Sequence, residues 1–249
     1  MDLGLADRVY VLTGASRGLG FATAEALVAD GAKVVIASRD EKNVTAAVER
    51  LGGEGSAAGV VADLADPGAA RALAGTAVER FGRFDGALIS VGGPAPGTAS
   101  AMTDEQWRTA FETIFLGSVR AARVFASALP ESGAIGLVLS STVKSPVHGL
   151  GLSNGLRPGL AMAAKDMADE YAPRGVRIVS LLPGRILTDR NRELIKSPEE
   201  AAAVAGSIPM RRLGEPAEFG RVAAFLLSPA ASYVTGLTVA VDGGMLRTL

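Results

Sequence analysis

The 249-residue chain contains no cysteine. That excludes a disulfide scaffold, thiolate catalysis and cysteine-ligated metals. Its single histidine, His148, gives no basis for a histidine-built metal centre, so no metal is expected. No run of about 18 uninterrupted apolar residues occurs, so no membrane span is expected. Residues 1–8 are mixed, and the apolar run Val9–Leu12 is too brief for the core of a secretion signal. Lys and Arg number 25 against 26 Asp and Glu, a net charge of -1. Bulk charge therefore gives no drive toward nucleic acid or a membrane surface. The expectation is a soluble cytoplasmic protein. What the chain does have is 48% hydrophobic residues against 20% charged, enough for a substantial core. The length fits one large α/β domain or two small ones.

The stretch Arg8–Gly20, RVYVLTGASRGLG, sets the pattern. Val9–Leu12 reads as a strand. Three glycines follow at the spacing Gly-x-x-x-Gly-x-Gly (Gly14, Gly18, Gly20), and then Ala22–Ala29 reads as a helix. Glycine lets a backbone approach a phosphate closely, and a helix N-terminus offers free N–H groups and a positive dipole end. The spacing differs from the Gly-x-Gly-x-x-Gly dinucleotide fingerprint. A βα turn can also carry glycines for geometric reasons alone.

Strand and helix signals then alternate. Lys33–Ser38, Gly59–Ala62, Asp85–Ser90, Ala134–Ser140, Val176–Leu182 and Leu237–Val241 read as further strands. Helices are expected over Glu41–Leu51, from about Pro67 to Phe81, from the capping box Thr103-x-x-Gln106 to Pro130, up to Tyr171, and from Pro216 to Leu227. Residues 187–212 form a long excursion with one short helix after Pro198. There is no linker and no repeat. The expectation is a single domain, residues 1–249, with a seven-stranded parallel sheet and helices on both faces. Ligands then bind at the carboxyl ends of the strands, where the Gly14–Gly20 turn lies.

Several segments, in this order and spacing, resemble the short-chain dehydrogenase/reductase family over nearly the whole chain. They are Thr13–Gly20, Asp63-Leu64, Pro183-Gly184 followed by Thr188, Arg212–Pro216, Phe225–Ser228, Thr235-Gly236 and Val241–Gly244. The resemblance implies a doubly wound Rossmann fold, a nicotinamide cofactor and a homo-oligomer, usually a tetramer. It places the cofactor on Gly14, Ser16, Arg17, Gly18, Leu19 and Gly20, on Ser38 and Arg39, on Asp63 and Leu64, on Gly92, and on Pro183, Gly184, Ile186 and Thr188. Asp63 matches the adenine contact; a loop-capping role fits it equally. Ile186 and Thr188 match the residues that hold the nicotinamide carboxamide.

Strand two ends Ala37-Ser38-Arg39-Asp40. An acidic residue at that end binds the ribose hydroxyls of NAD. Ser38 stands there instead, with Arg39 after it and Arg17 in the glycine turn. Two guanidinium groups suit a 2′-phosphate, so NADP(H) is expected before NAD(H). Against this, both arginines are compatible with plain surface charge, and Asp40 is within sequence reach of the ribose.

The match breaks at the catalytic stretch. The family uses a Ser, a Tyr and a Lys four residues after the Tyr. Here the three tyrosines, Tyr10, Tyr171 and Tyr233, are followed four residues on by Gly14, Gly175 and Leu237. Counting from Ala168–Glu170 puts the tyrosine position on Ser153 and the lysine position on Arg157. The serine position falls on Ser140 or Ser141, with Ser141 preferred. The family's helix asparagine falls on Phe115. Arg157 keeps a positive charge but cannot exchange a proton near neutrality. Ser153 is a poorer acid than a phenol of pKa about 10. Lys144 and His148 are replacement proton donors if they reach the site, and ordinary loop residues if they do not.

Arg185, Arg190, Arg192, Lys196, Arg211 and Arg212 gather around the 187–212 excursion, as a lid favouring an anionic substrate or as a solvated face. The apolar stripe Phe111–Phe125 and the Ala-rich face of Leu160–Ala168 are candidate subunit interfaces. The leading expectation is an NADP(H)-dependent oxidoreductase acting on a small carbonyl or alcohol substrate, with Ser141, Ser153, Arg157 and Lys144 as its catalytic set. The alternatives are a non-catalytic NADP(H)-binding sensor or partner protein, and a lyase or isomerase working without net redox change.

Overall fold

The computed structural model describes residues 2–194 and 197–248. Seven strands form one parallel sheet in the order β3-β2-β1-β4-β5-β6-β7. They are β1 (Val9–Thr13), β2 (Lys33–Ser38), β3 (Ala57–Val61), β4 (Gly86–Ile89), β5 (Ala134–Val138), β6 (Arg177–Pro183) and β7 (Thr238–Val241). Among the described residues the helices are α1 (Gly18–Ala29), α2 (Glu41–Arg50), α3 (Ala69–Phe81), α4 (Asp104–Ala110), α5 (Gly117–Ala128), α6 (Gly151–Tyr171), α7 (Asp189–Leu194), α8 (Pro198–Gly206) and α9 (Pro216–Leu227).

The strands are almost wholly apolar because both faces of the sheet are covered. Side chains alternate between the faces. Val9, Val11, Val35, Ala87, Ile89, Ile135 and Leu137 pack with α3, α5 and α6. Tyr10, Leu12, Val34, Ile36, Leu88, Val138 and Leu181 pack with residues of α1, α2 and α9. Gly220 of α9 permits close contact with α1. A Cβ on Gly220 would lie 2.3 Å from the carbonyl oxygen of Ala22.

Register aligns the carboxyl ends. Thr13 pairs with Ala37, Leu12 with Leu88, Ile89 with Leu137 and Val138 with Leu181. The following loops therefore emerge along one edge. The chain reverses its winding between β1 and β4, so a crevice opens there.

Three local expectations need correction. The helix after Thr103 starts with the expected capping box, but a π-helical turn, Phe111–Leu116, separates α4 from α5. The excursion carries α7 in addition to the expected helix after Pro198, α8, whose N-terminus Ser197 caps by accepting the N–H of Glu200. The candidate interface stripes are mostly internal. Ala122, Phe125, Leu160, Ala164 and Ala168 are buried in the core, while Phe111 and Met162 stay exposed. No helix among the described residues is long and apolar enough to cross a membrane.

Candidate active site

One cavity of about 1040 Å³ runs along the carboxyl ends of the strands. Its floor is the turn between β1 and α1. Gly14 has φ +57°, and a Cβ there would lie 2.6 Å from the carbonyl oxygen of Ser90. A Cβ on Gly20 would lie 2.7 Å from the carbonyl oxygen of Gly14. Only glycine at both places lets α1 begin directly behind the turn. Thr13 locks the turn to the strand across the crevice: its Oγ1 donates to the Ser90 carbonyl and accepts from the Ser90 N–H, both at 2.9 Å. The N-terminus of α1 has no side-chain cap and no acidic residue in its first turn. Gly14, Ser16, Arg17, Gly18, Leu19 and Gly20 all line the cavity beside it. This leaves free N–H donors and a positive dipole end facing the space.

At the end of β2, Ser38 and Arg39 line the cavity. Asp40 does too, but its carboxylate accepts the Asn43 N–H at 2.8 Å and so caps α2. Arg39 is 76% exposed and sits 3.9 Å from Asp63, a loose ion pair. Asp63 also accepts the Ala65 N–H at 3.0 Å, so it caps its own loop while facing the cavity with Leu64. Gly92, Pro183, Gly184 and Thr188 complete the expected wall. A Cβ on Gly184 would fall 2.6 Å from the Asp242 Cα, so the β6 loop packs directly on the end of β7. Ile186 is buried behind that wall. Its carbonyl accepts the Thr188 N–H at 2.8 Å and the Asn191 Nδ2 at 2.6 Å.

At the other end, Ser140, Ser153 and Arg157 line the cavity; Ser141 does not. Ser140 is extended, and its Oγ accepts the Thr142 N–H at 3.2 Å. A 3₁₀ turn, Ser141–Val143, starts one residue later and turns Ser141 into the protein, where it is buried. The cavity-facing serine is therefore Ser140, not Ser141. Lys144 and His148 lie exposed in the loop after that turn, and neither is on the cavity wall. Asn154 clamps this loop through both the N–H and the carbonyl of Val147. The Phe115 ring packs toward α6, where Gly159 gives it room, and it too is off the wall.

Ser153 and Arg157 are one helical turn apart on α6 and share a face. Arg157 is 4% exposed. Its Nη1 donates to the Val138 carbonyl at 2.7 Å, while its buried Nε has no partner. Among the described residues it has no acidic partner, and burial pulls its pKa down to about 10. Ser153 is also buried, and its Oγ lies 3.0 Å from the Thr142 Oγ1. Thr142 escaped the sequence analysis; its only signal was a hydroxyl two places past Ser140. Thr109 and Thr113 of α4 and the π turn, Asn191 of α7, and Gln106, expected only as a capping residue, line the outer wall.

Of the excursion's cations, Arg185 lines the cavity and Arg212 forms a forked pair with Glu218 at 2.7 and 2.6 Å. The Arg211 side chain donates to the Gly206 carbonyl. The side chain of Arg190 and all of Lys196 lie outside the described residues. No His, Asp or Glu cluster suited to a metal occurs among the described residues.

The family model described as Enoyl-(Acyl carrier protein) reductase matches residues 14–246. Dehydrogenase/reductase SDR family member 4 of Homo sapiens is 35% identical over 248 residues, covering 96% of this chain and 88% of the relative. A 3-oxoacyl-[acyl-carrier-protein] reductase of Salmonella typhimurium is 31% identical over 240 residues, covering 96% and 97%. A solved NADPH-bound short chain oxidoreductase of Pseudomonas aeruginosa, described as containing an atypical catalytic center, superposes with a TM-score of 0.90 at 30% identity, covering 97% of this chain and 98% of that one. With its doubly wound sheet and glycine turn at the switch point, the chain belongs to the short-chain dehydrogenase/reductase family of oxidoreductases.

Proposed function

We propose that the protein is an NADP(H)-dependent carbonyl reductase or alcohol dehydrogenase with a substituted catalytic centre. One observation carries this: a single cavity joins the glycine turn and the free α1 N-terminus to Ser140, Ser153 and Arg157. The wall suits a dinucleotide. The turn is a cradle that any Cβ at Gly14 would fill, and the buried Arg157 Nε is a donor in search of a partner. Arg17 and Arg39 would hold the 2′-phosphate, since Asp40 is committed to α2. Asp63 and Leu64 would flank the adenine. Gly92, Pro183, Gly184 and Thr188 would hold the nicotinamide end, with Ile186 buried behind them as support. When bound, the nicotinamide supplies or accepts hydride at the substrate carbon.

The chain's own residues handle the oxygen. Ser140 and Ser153 hydrogen-bond the substrate oxygen. Ser153 passes its hydroxyl proton to that oxygen and recovers one from water. Arg157 stays charged throughout, holds the ribose hydroxyls, and stabilises negative charge from a buried position. A dedicated general acid is worth about 10²–10⁴-fold, so its replacement by serine slows the reaction without abolishing it. The relatives' reductase names and the NADPH-bound neighbour support the same reading.

The test is oxidation of NADPH, with NADH as control, over a panel of ketones, aldehydes and quinones. NADPH binding is measured separately. Turnover with at least one carbonyl class is expected. Silence across the panel with binding intact overturns the reductase and leaves a cofactor-binding partner protein.

A further inference from the structure

The two cavity serines share a third hydroxyl residue behind the wall. Thr142 is 3% exposed and does not line the cavity. Its backbone N–H donates to the Ser140 Oγ at 3.2 Å. Its Oγ1 lies 3.0 Å from the Ser153 Oγ and 3.4 Å from the Ser153 carbonyl oxygen.

The direction of this chain is set by what the cavity offers. Each hydroxyl has one hydrogen to give, and either hydroxyl can donate across the 3.0 Å contact. If Ser153 donates to Thr142, its hydrogen points away from the cavity and Thr142 gives its own to the Ser153 carbonyl at 3.4 Å. If Thr142 donates to the Ser153 Oγ, the same 3.0 Å bond is made and the Ser153 hydrogen is left for the cavity. A substrate carbonyl oxygen can only accept, so its arrival favours the second arrangement. Ser140 is in the same position. One of its lone pairs accepts the Thr142 N–H, which leaves its own hydrogen to be given to the cavity. Among the described residues no other hydrogen bond of the Ser140 Oγ or the Ser153 Oγ competes. Donation into a hydroxyl also strengthens the bond that hydroxyl then gives.

We propose that Thr142 is a positioning residue that turns both serine hydroxyls outward as donors, making a two-donor cradle for the substrate oxygen. The proposal rests on the reductase function above. It makes Ser140 and Ser153 act together, in the manner of an oxyanion hole, with the Arg157 charge beside them. Thr142 itself touches neither substrate nor cofactor.

The experiment compares Thr142→Val, which keeps the shape and removes the hydroxyl, with Thr142→Ser, which keeps the hydroxyl. Both are assayed as full-length protein with NADPH and the best carbonyl of the panel. Removing one oxyanion donor costs about 10²–10³-fold in kcat. Misaiming Ser153 while leaving it in place is expected to cost about 10–100-fold. KM and NADPH affinity, read by cofactor fluorescence, stay within about 3-fold. Thr142→Ser stays within about 3-fold of wild type in kcat. In a Ser153→Ala background the Thr142→Val change is expected to have almost no further effect, because its target is gone.

Equal losses for the Val and Ser variants overturn the proposal. So does a rise in KM at unchanged kcat, or full additivity with Ser153→Ala. Should Thr142→Val fail to fold, Thr142→Ala is carried through the same comparison against Ser153→Ala. An active wild type with an indifferent Thr142 refutes the positioning role alone. A wild type that binds NADPH yet reduces nothing refutes the reductase and this proposal together.

Discussion

Replacing Arg157 by methionine should stabilise the cofactor-free protein. The guanidinium is 4% exposed and has no acidic partner among the described residues. Burial alone pulls its pKa well below the ordinary arginine value, down to about 10. That fall corresponds to about 3 kcal/mol against the charged form in the folded chain. Methionine of similar length removes this penalty and the orphaned Nε. It also loses the charged hydrogen bond to Val138, worth about 1.5–3 kcal/mol. The Val138 carbonyl is not stranded, because Val138 lines the cavity and water can reach it. The balance is a gain of about 0–1.5 kcal/mol. At about 2–4 °C per kcal/mol for a chain of this size, Tm rises by up to roughly 6 °C. The assay is thermal unfolding followed by circular dichroism without cofactor. The gain should be constant between pH 6 and 9, where Arg157 is charged in both folded and unfolded chains. It should shrink above about pH 10, where the folded state sheds the proton before the unfolded state does. Added NADPH should narrow the gap. At 100 times its dissociation constant a ligand stabilises by about 2.7 kcal/mol. A variant binding ten times more weakly gains only about 1.4 kcal/mol at the same concentration. A cofactor-free variant that melts below wild type would refute the view of Arg157 as an uncompensated charge.

Three further outcomes are expected. Arg39→Ala should weaken NADPH binding by about tenfold and leave NADH binding nearly unchanged, while adding Ser38→Asp should reverse the preference, both read by fluorescence titration. Gly220→Ala should destabilise by about 2–4 kcal/mol in urea unfolding, because its Cβ would sit 2.3 Å from the Ala22 carbonyl and both partners are helix backbone; a cost below about 1 kcal/mol would show that α1 and α9 slide apart freely. The Arg212 fork, with help from the Glu215 N–H, holds the exposed Glu218 carboxyl at about 2. Its stabilising effect is complete above the ordinary carboxylate value of 4.5 and is lost as pH falls toward 2, so Glu218→Gln should flatten the stability profile across that window and leave its shape at pH 7 to 8 unchanged.

The strands and the glycine turn were legible because their causes are local. Runs such as KVVIAS are apolar without alternation, as strands covered on both faces must be. Gly14 and Gly20 sit where a Cβ collides, and Gly18 has a φ of +60° that disfavours other residues. The serine was harder to place. A strand alternates its faces with each residue, so one step exchanges wall for interior. Whether Ser140 or Ser141 faces the cavity depends on the residue at which extended backbone gives way to the 3₁₀ turn, and apolar content does not report that. The roles of Lys144 and His148 failed to materialise for a related reason. Nearness in sequence to Ser140 says nothing about which way the clamped loop carries them. Thr142 was invisible because its function is relational, a bond to a residue eleven positions on. The excursion's second helix was missed because α7 is one short turn with no apolar stripe.

The π turn at Phe111–Leu116 sets the relative rotation of two helical segments. It adds one residue to a single turn, and an α-helix advances about 100° and 1.5 Å per residue. The segment before it presents Gln106, Thr109 and Ala110 to the cavity; the segment after it presents Ala121, Ala122 and Phe125 to the core. A strictly α-helical chain of the same sequence could satisfy one of these registers but not both. Deleting a single residue between 111 and 116 would leave the core seam in place and swing the cavity wall by over a quarter of a circle. Chain length in this stretch, more than the identity of its side chains, is thus what ties the shape of the ligand space to the hydrophobic interior.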